Sequence, residues 1–137
     1  MFLKSDLYER NGKSVTLFEL SALQRIEHLE HLKKIEAIEE GDIQAAMTTT
    51  VREGAFIVAM SLWHGHGLKG TLPEGAVREV EQIQEEVLAT WPLEAVAEAE
   101  FRIRLLSGML PPPDETSDPD AGEEPGPVTA EKPSPAS

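Results

Sequence analysis

One uncharged stretch decides the fold of this chain: Gly54-Ala55-Phe56-Ile57-Val58-Ala59-Met60-Ser61-Leu62-Trp63-His64. A helix that carries this stretch is apolar almost all round, and such a helix needs cover on every side. The cover comes either from the rest of the domain or from another protein. We therefore expect a core helix or a partner-binding helix here, and not a catalytic motif.

The residues at the N-terminus predict a β-hairpin. Asn11-Gly12 is the strongest short signal for a two-residue turn, because both central residues of that turn need a positive φ. We place strands at residues 2–9 and 13–16 and expect them to pack on helices, since two strands alone are marginal in water. Thr16-Leu17-Phe18-Glu19 fits a capping box, which predicts that the first helix begins at Leu17.

Two helices are predicted between the hairpin and the end of the uncharged stretch. The first carries apolar residues at every third position from Leu20 to Ile38. An apolar stripe of that spacing drifts by about 60° per step and winds round the helix. The second helix starts at Asp42 or at Thr50, where Thr-Val-Arg-Glu spells another capping box. Three consecutive threonines favour an irregularity at residues 48–50.

Two more helices are predicted after the glycines that follow the uncharged stretch. The third opens at Thr71-Leu72-Pro73-Glu74 and continues with apolar residues at helical spacing. Trp91-Pro92 interrupts it. The fourth starts at Pro92, an accepted first-turn position, and stops at Ser107-Gly108.

The C-terminal residues 111–137 differ from the rest in composition. They contain eight of the ten prolines, seven acidic residues and one lysine, with Val128 as the only sizeable aliphatic residue. Such a segment cannot bury enough apolar surface to offset its ordering entropy. The predicted fold class is therefore mainly α: a small N-terminal β-hairpin packed on about four helices in a domain of residues 1–110, followed by a disordered acidic Pro-rich tail.

Charge and composition argue against several classes of function. The net charge is −13, with 18 acidic and 11 basic residues in residues 1–110. Such a charge disfavours a nucleic-acid backbone or an anionic membrane surface as the main partner. The chain has no cysteine, which excludes disulfides and thiolate catalysis. Its longest apolar run, Ala55 to Met60, falls far short of the roughly 20 residues that span a bilayer. We expect a soluble cytoplasmic protein.

No catalytic or metal-binding pattern stands out. His28 and His31 lie one turn apart on the first helix, and His64 and His66 flank a glycine, but nothing in the sequence fixes their convergence on a metal. General acid–base chemistry needs groups aimed at one substrate, and no nucleophile motif or phosphate loop is present. We therefore expect no cofactor, no metal and no enzyme activity. A metalloenzyme that uses the four histidines is kept as a separate hypothesis.

The two tryptophans, Trp63 and Trp91, have two interpretations. Large aromatic residues dominate small cores, so both are expected as core residues. Tryptophan is also enriched at the hot spots of protein interfaces, and one of the two could instead anchor a partner. The uncharged stretch admits the same two interpretations.

Segments spread over the whole folded part resemble one known family. They are Met1-Phe2-Leu3-Lys4, Asn11-Gly12, Leu20 to Leu29, Gly54-Ala55-Phe56, Val58 to His64, Glu86-Val87-Leu88, Thr90-Trp91-Pro92 and Leu106 to Met109. Together they resemble minor tail protein G of lambda-like long-tailed phages, a family of tail assembly chaperones. The acidic Pro-rich tail is similar in kind.

The resemblance implies a chaperone that binds the tape measure protein, keeps that long helical chain soluble and helps to recruit the major tail protein for tube polymerisation. It also implies a longer product of ribosomal frameshifting, whose extra domain contacts the tail-tube subunit. The protein is then expected in the host cytoplasm and not in the mature virion.

A client-binding surface follows as a hypothesis. An apolar face can shield the apolar helices of a client, while a negative exterior keeps the assembly dispersed. We place this surface on Phe56, Ile57, Met60 and Trp63, together with Trp91. The alternative is a self-assembling scaffold or adaptor without a tape-measure client, in which the apolar helix closes a homo-oligomer.

Overall fold

Two strands and four helices make up the computed structural model, which describes residues 2–36 and 43–110. This architecture confirms the predicted mainly α fold class with an N-terminal hairpin. The tail predicted for residues 111–137 lies outside the described residues, and the domain boundary at residue 110 stays a prediction. The elements are β1 Ser5–Arg10, β2 Lys13–Phe18, α1 Ala22–Glu36, α2 Ile43–Trp63, α3 Ala76–Thr90 and α4 Leu93–Leu106.

The hairpin forms around the predicted turn. Asn11 and Gly12 have φ values of 52° and 80°, the left-handed geometry that a two-residue hairpin turn demands. The strands are antiparallel, with Tyr8 opposite Val15. Paired residues share a face of the hairpin, and Tyr8 and Leu17 on that face are buried in the core. The hairpin therefore joins the helical domain through one face, as expected of two strands that need support.

The start of the first helix differs from the prediction. Strand β2 continues to Phe18, so no capping box forms at Thr16. The carboxylate of Glu19 instead accepts a hydrogen bond of 2.9 Å from the backbone N–H of Lys4. The capping box that does form is reciprocal: the Gln24 N–H donates to Ser21 Oγ at 3.2 Å, and the Ser21 N–H donates to Gln24 Oε1 at 3.1 Å. Helix α1 therefore begins at Ala22.

Helix α2 runs without interruption from Ile43 to Trp63. The alternative start at Thr50 and the irregularity at residues 48–50 are therefore wrong. The hydroxyl of Thr50 donates to the carbonyl of Ala46 at 3.0 Å, within the helix. The packing of the apolar second half of α2 outweighs the modest helix propensity of threonine. Asp42, the other predicted start, lies outside the described residues.

Helix α2 is the centre of the core. It packs against α3 on one side and α4 on another, and strand β2 lies across it. Gly54 allows a close approach to α4, because a Cβ there would come within 2.7 Å of Glu100 Oε1. The buried apolar residues come from both strands, the segment before α1 and the three later helices: Tyr8, Leu17, Leu20, Ala55, Ile57, Val58, Ala59, Met60, Val80, Ile83, Val87, Ala95, Val96, Ala99 and Ile103.

Helix α3 begins later than predicted, at Ala76, after Gly75 with a φ of 95°. The residues before it form a loop held by Glu79, a carboxylate with 1% of its surface exposed. Glu79 Oε1 accepts from the Trp63 indole N–H at 2.9 Å and from the Gly70 N–H at 3.1 Å, and Oε2 accepts from the Leu72 N–H at 2.9 Å. An earlier helix start would remove the loop amides from this carboxylate.

The remaining helix ends follow the prediction. Trp91 ends α3 and Pro92 precedes α4, so the Trp91-Pro92 interruption is confirmed. Gly108, with a φ of 67°, ends α4 in a Schellman motif: its N–H donates to Leu105 and the Met109 N–H donates to Arg104. No helix of the described part is long and apolar enough to cross a membrane.

Candidate partner-binding site

The structure separates the five residues that the sequence places on a client-binding surface. Ile57 and Met60 have no exposed surface and lie in the core of the domain. The prediction that Ile57 and Met60 lie on a binding surface is therefore corrected. The physical reason is that α2 obtains its cover from α3, α4 and β2 of the same chain. Phe56, Trp63 and Trp91 are each partly exposed at the edge of this core.

The three partly exposed aromatic residues have different neighbours and do not form one surface. The ring of Phe56 packs against His31 of α1, with 4.5 Å between ring centroids. Trp63 donates to Glu79, and the ammonium group of Lys69 lies 4.8 Å from its ring centroid. Both tryptophans thus contribute to packing, and both retain some exposed surface.

Trp91 lines a groove between the hairpin turn and the junction of α3 and α4. Its ring stacks on that of Tyr8, with centroids 6.2 Å apart and 22° between the planes. The groove has a volume of about 470 Å³, and we call it the tryptophan groove. Burial, followed by the hydrogen bond to Glu98, raises the pKa of Tyr8. The tryptophan groove is lined by Tyr8, Arg10, Asn11, Lys13, Ser14, Val15, Thr90, Trp91, Pro92 and Ala95.

Helix α1 turns its polar side chains toward the domain. Gln24 and His28 are both buried. Gln24 Nε2 donates to the carbonyl of Met60 at 2.8 Å. This leaves Gln24 Oε1 as the acceptor of the 2.8 Å contact with His64 Nε2, so the proton of the neutral His64 ring lies on Nε2. His28 Nε2 lies 2.8 Å from a carboxylate oxygen of Glu53.

The opposite side of α1 carries large apolar side chains into solvent. Leu23 is 63% exposed, Ile26 is 53% exposed and Leu29 is 61% exposed. We call these three residues the outer face of α1. A helix on the surface of a globular domain ordinarily shows the reverse arrangement, with apolar residues inward and polar residues outward.

Sequence reasoning missed the outer face of α1 as a candidate site. The spacing of three from Leu20 predicts a stripe that winds round the helix and touches different neighbours. In the structure the stripe leaves the core after Leu20, and the next three members are each more than half exposed. A usable signal was present in Gln24, His28 and His31, which share one face of the helix at spacings of four and three.

The histidines have separate partners in the described part of the chain. His28 pairs with Glu53, His64 with Gln24, and His66 with Glu86 at 3.2 Å. Burial lowers the pKa of His31 and of His64. Within residues 2–36 and 43–110, no group of three or more histidine, aspartate or glutamate side chains is placed to hold a metal ion.

The comparison with known families decides the class of protein. A family model described as bacteriophage lambda tail assembly chaperone, TAC, protein G matches residues 1–125. The chain belongs to this family. This confirms the resemblance seen in the sequence, and this chaperone is therefore a tail assembly protein; tail assembly chaperones are not a known class of enzyme.

Individual relatives carry the same description as the family. Tail assembly protein G of Escherichia phage N15 is 64% identical to this chaperone over 140 residues, which cover all of both chains. Tail assembly protein G of Escherichia phage lambda is 47% identical over 111 residues, 80% of this chain and 79% of that protein. Tail assembly protein GT of phage N15 is 62% identical over 135 residues, and the match covers 96% of this chain and 54% of that longer protein. No solved structure matches.

Proposed function

We propose that this chaperone binds the tape measure protein of its phage, keeps it soluble and promotes assembly of the tail tube. The observation that carries the proposal is the outer face of α1. Leu23, Ile26 and Leu29 present apolar surface on one side of a 15-residue helix. Apolar surface of this kind on a soluble protein marks an interaction site. Because membership of the family identifies a chaperone, the natural occupant is an apolar face of its client.

An amphipathic helix of the client suits this surface. Side chains three and four positions apart on a client helix can pack between those of α1, as ridges of one helix fill the grooves of another. The polar contacts of α1 with the domain hold it in place while its apolar side is presented outward. The ring of Phe56 packs against His31, which lies on the inward side of α1 and not on its outer face. Because it is partly exposed, we keep Phe56 as a separate part of the proposed client-binding surface, and we omit the buried Ile57 and Met60.

The charge of the chaperone supports a client over a second copy of itself. Each chain carries a net charge of −13, so two copies repel one another, and a bound client gains a negative coat that disfavours aggregation. A homo-oligomer formed through α1 is the alternative, and it requires this repulsion to be overcome by a small apolar contact.

A longer product extends the proposal to the tail tube. The existence of GT relatives, in which the match covers 54% and 39% of the longer protein, supports a frameshifted form of this chaperone. We propose that the added part of that form contacts the major tail protein, while the shared part binds the tape measure protein. Both forms would act in the host cytoplasm and be absent from the mature virion.

Co-expression with the tape measure protein of the same phage tests the function. We expect the client to be insoluble alone and to elute with the chaperone as one large complex in size-exclusion chromatography. An insoluble client beside a chaperone that elutes alone, with the longer product also present, would overturn the proposal. A chaperone whose size without client rises with concentration would favour the scaffold alternative.

A further inference from the structure

The tryptophan groove combines an aromatic floor with an exposed lysine at its rim. The partly exposed ring of Trp91, stacked on the buried ring of Tyr8, forms the floor. Arg10 and Lys13 stand on either side of the hairpin turn at the rim. Arg10 is already paired with the nearby carboxylates, through contacts of 3.0 Å to Glu94 and 3.2 Å to Glu98. Lys13 makes no ion pair with any of the described residues, so it is the cation available to a ligand.

Aromatic grooves of this kind take proline-rich segments. A polyproline II segment has few conformations to lose on binding, and its proline rings pack well against aromatic faces. An acidic proline-rich segment would place its rings on the floor of the groove and its carboxylates near Lys13. The aromatic floor and Lys13 together fit an extended, acidic, proline-containing ligand.

This chain carries such a segment itself. Residues 118–127 read Asp-Pro-Asp-Ala-Gly-Glu-Glu-Pro-Gly-Pro, with four carboxylates and three prolines in ten residues. We propose that residues 118–127 bind in the tryptophan groove of the same chain. The proposal does not depend on the identity of the client. The outer face of α1 is a poor alternative for this segment, because the segment has no large apolar side chain to cover it.

The linker between α4 and residues 118–127 is long enough to run back along α4 to the groove. The groove lies at the start of α4, beside Pro92 and Ala95, and the tail begins just beyond the end of that helix. The 14 residues of α4 span about 21 Å at 1.5 Å per residue. An extended chain advances about 3.1 Å per residue, so a linker of seven residues, the length of 111–117, can reach about 22 Å. Residues 118–127 are therefore the first part of the tail that reaches the groove.

Because the tail and the groove belong to the same chain, even a weak contact between them is enough for binding. A short linker gives an effective concentration of the order of millimolar, so an intrinsic dissociation constant near about 1 mM fills the groove for half of the time. The expected consequence is that the tail covers part of Trp91 in the isolated chaperone. High salt should then release the tail, because Lys13 is an exposed charge whose attraction is screened.

The absence of cysteine permits a direct test. A nitroxide spin label on Ala121→Cys in the full chain broadens the NMR signals of nuclei near the label. We expect the Lys13 amide and the Trp91 indole to lose most of their intensity, which returns when the label is reduced. The amide of Val77, at the far end of α3 from Trp91, is the internal control and should keep its intensity. Uniform or absent broadening at all three positions would overturn the proposal.

A second labelled chain separates specific docking from chance encounters. Asp118→Asn, Asp120→Asn, Glu123→Gln and Glu124→Gln together keep the length and the prolines of the tail but remove its charge. We expect this chain to lose the broadening at Lys13 and Trp91, and unchanged broadening would contradict docking by charge. Broadening of an isotope-labelled chain by a separate spin-labelled chain would show binding between two copies, which overturns the intramolecular proposal.

Discussion

Glu79 shows at the scale of one residue how a buried charge organises a loop. The hydrogen bond from the Trp63 indole, followed by that from the Leu72 amide, lowers the pKa of this carboxyl. Its stabilising contribution is therefore complete above its ordinary pKa of 4.5 and is lost as the pH falls through the lower pKa of the folded state. We expect acid to loosen the loop before α3 by this route.

The variant Glu79→Gln tests this role. An amide cannot accept the hydrogen bonds of three donors as a carboxylate does, so we expect the melting temperature at pH 7 to fall by several degrees. The variant should also lose less stability than the wild type between pH 5 and pH 3. Glu85→Gln, at an exposed position of the same helix, is the matched control and should melt like the wild type. Equal melting of the two variants would contradict the role of Glu79.

His64 gives the domain a second dependence on pH, near neutrality. Burial first, and then the charge of Lys69, lowers the pKa of its ring. The unfolded chain takes up the proton near its usual pKa of about 6.5, and the folded chain resists it until a lower pH. Stability is therefore complete above the usual pKa and declines as the pH falls below it.

Urea unfolding between pH 7.5 and pH 5.5 measures this decline. We expect the midpoint for the wild type to fall over this range, with His31 contributing in the same direction because burial also lowers its pKa. His64→Gln removes one titrating group and should make the decline shallower, although losing the packed ring lowers stability at every pH. A decline as steep as that of the wild type would show that folding does not lower the pKa of His64.

At the scale of the element, similar apolar residues are buried in α2 and exposed on the outer face of α1. Met60 of α2 is fully buried, whereas the outer face of α1 is exposed. We expect Met60→Ala to cost about 2–5 kcal/mol of unfolding free energy, since it removes buried methylene groups and leaves a cavity. Leu23→Gln with Leu29→Gln should cost less than about 0.5 kcal/mol each. Denaturant unfolding checks both, and a large loss in the α1 variant would place its leucines in the core.

The elements that the sequence predicts well are those set by local chemistry. Asn11-Gly12 specifies its turn because few residues tolerate positive φ, and Trp91-Pro92 breaks a helix because proline lacks the N–H. The start of α1 was not predictable in this way. Two capping boxes, at Thr16 and Ser21, compete in the sequence, and the pairing of β2 as far as Phe18 with β1 selects the second.

The candidate site depends on tertiary packing and was only partly predictable. The sequence shows that the stretch from Gly54 to His64 needs cover, but not that α3, α4 and β2 provide most of it. It also shows the leucines of α1 without showing that Gln24 and His28 face the domain in their place. Gln24 and His28 face inward because their hydrogen-bond partners, Met60 and Glu53, lie there, and these partners are far away in the sequence.

At the scale of the whole molecule, the chaperone combines a closed apolar core, an outward apolar helix face and a negative exterior. These three features suit a protein that must hold an aggregation-prone client without aggregating itself. We propose that the outer face of α1 performs this task. In this proposal the core stabilises the domain, and the negative charge keeps the complex with the client dispersed.

The most direct test is the co-expression of the tape measure protein with two matched double variants. Leu23→Gln with Leu29→Gln alters the outer face of α1, and Val77→Gln with Leu93→Gln alters two similarly exposed apolar residues elsewhere. We predict that the first variant folds but leaves most of the client insoluble, while the second keeps it soluble like the wild type. Full client solubility with the first variant would contradict a client-binding role for α1.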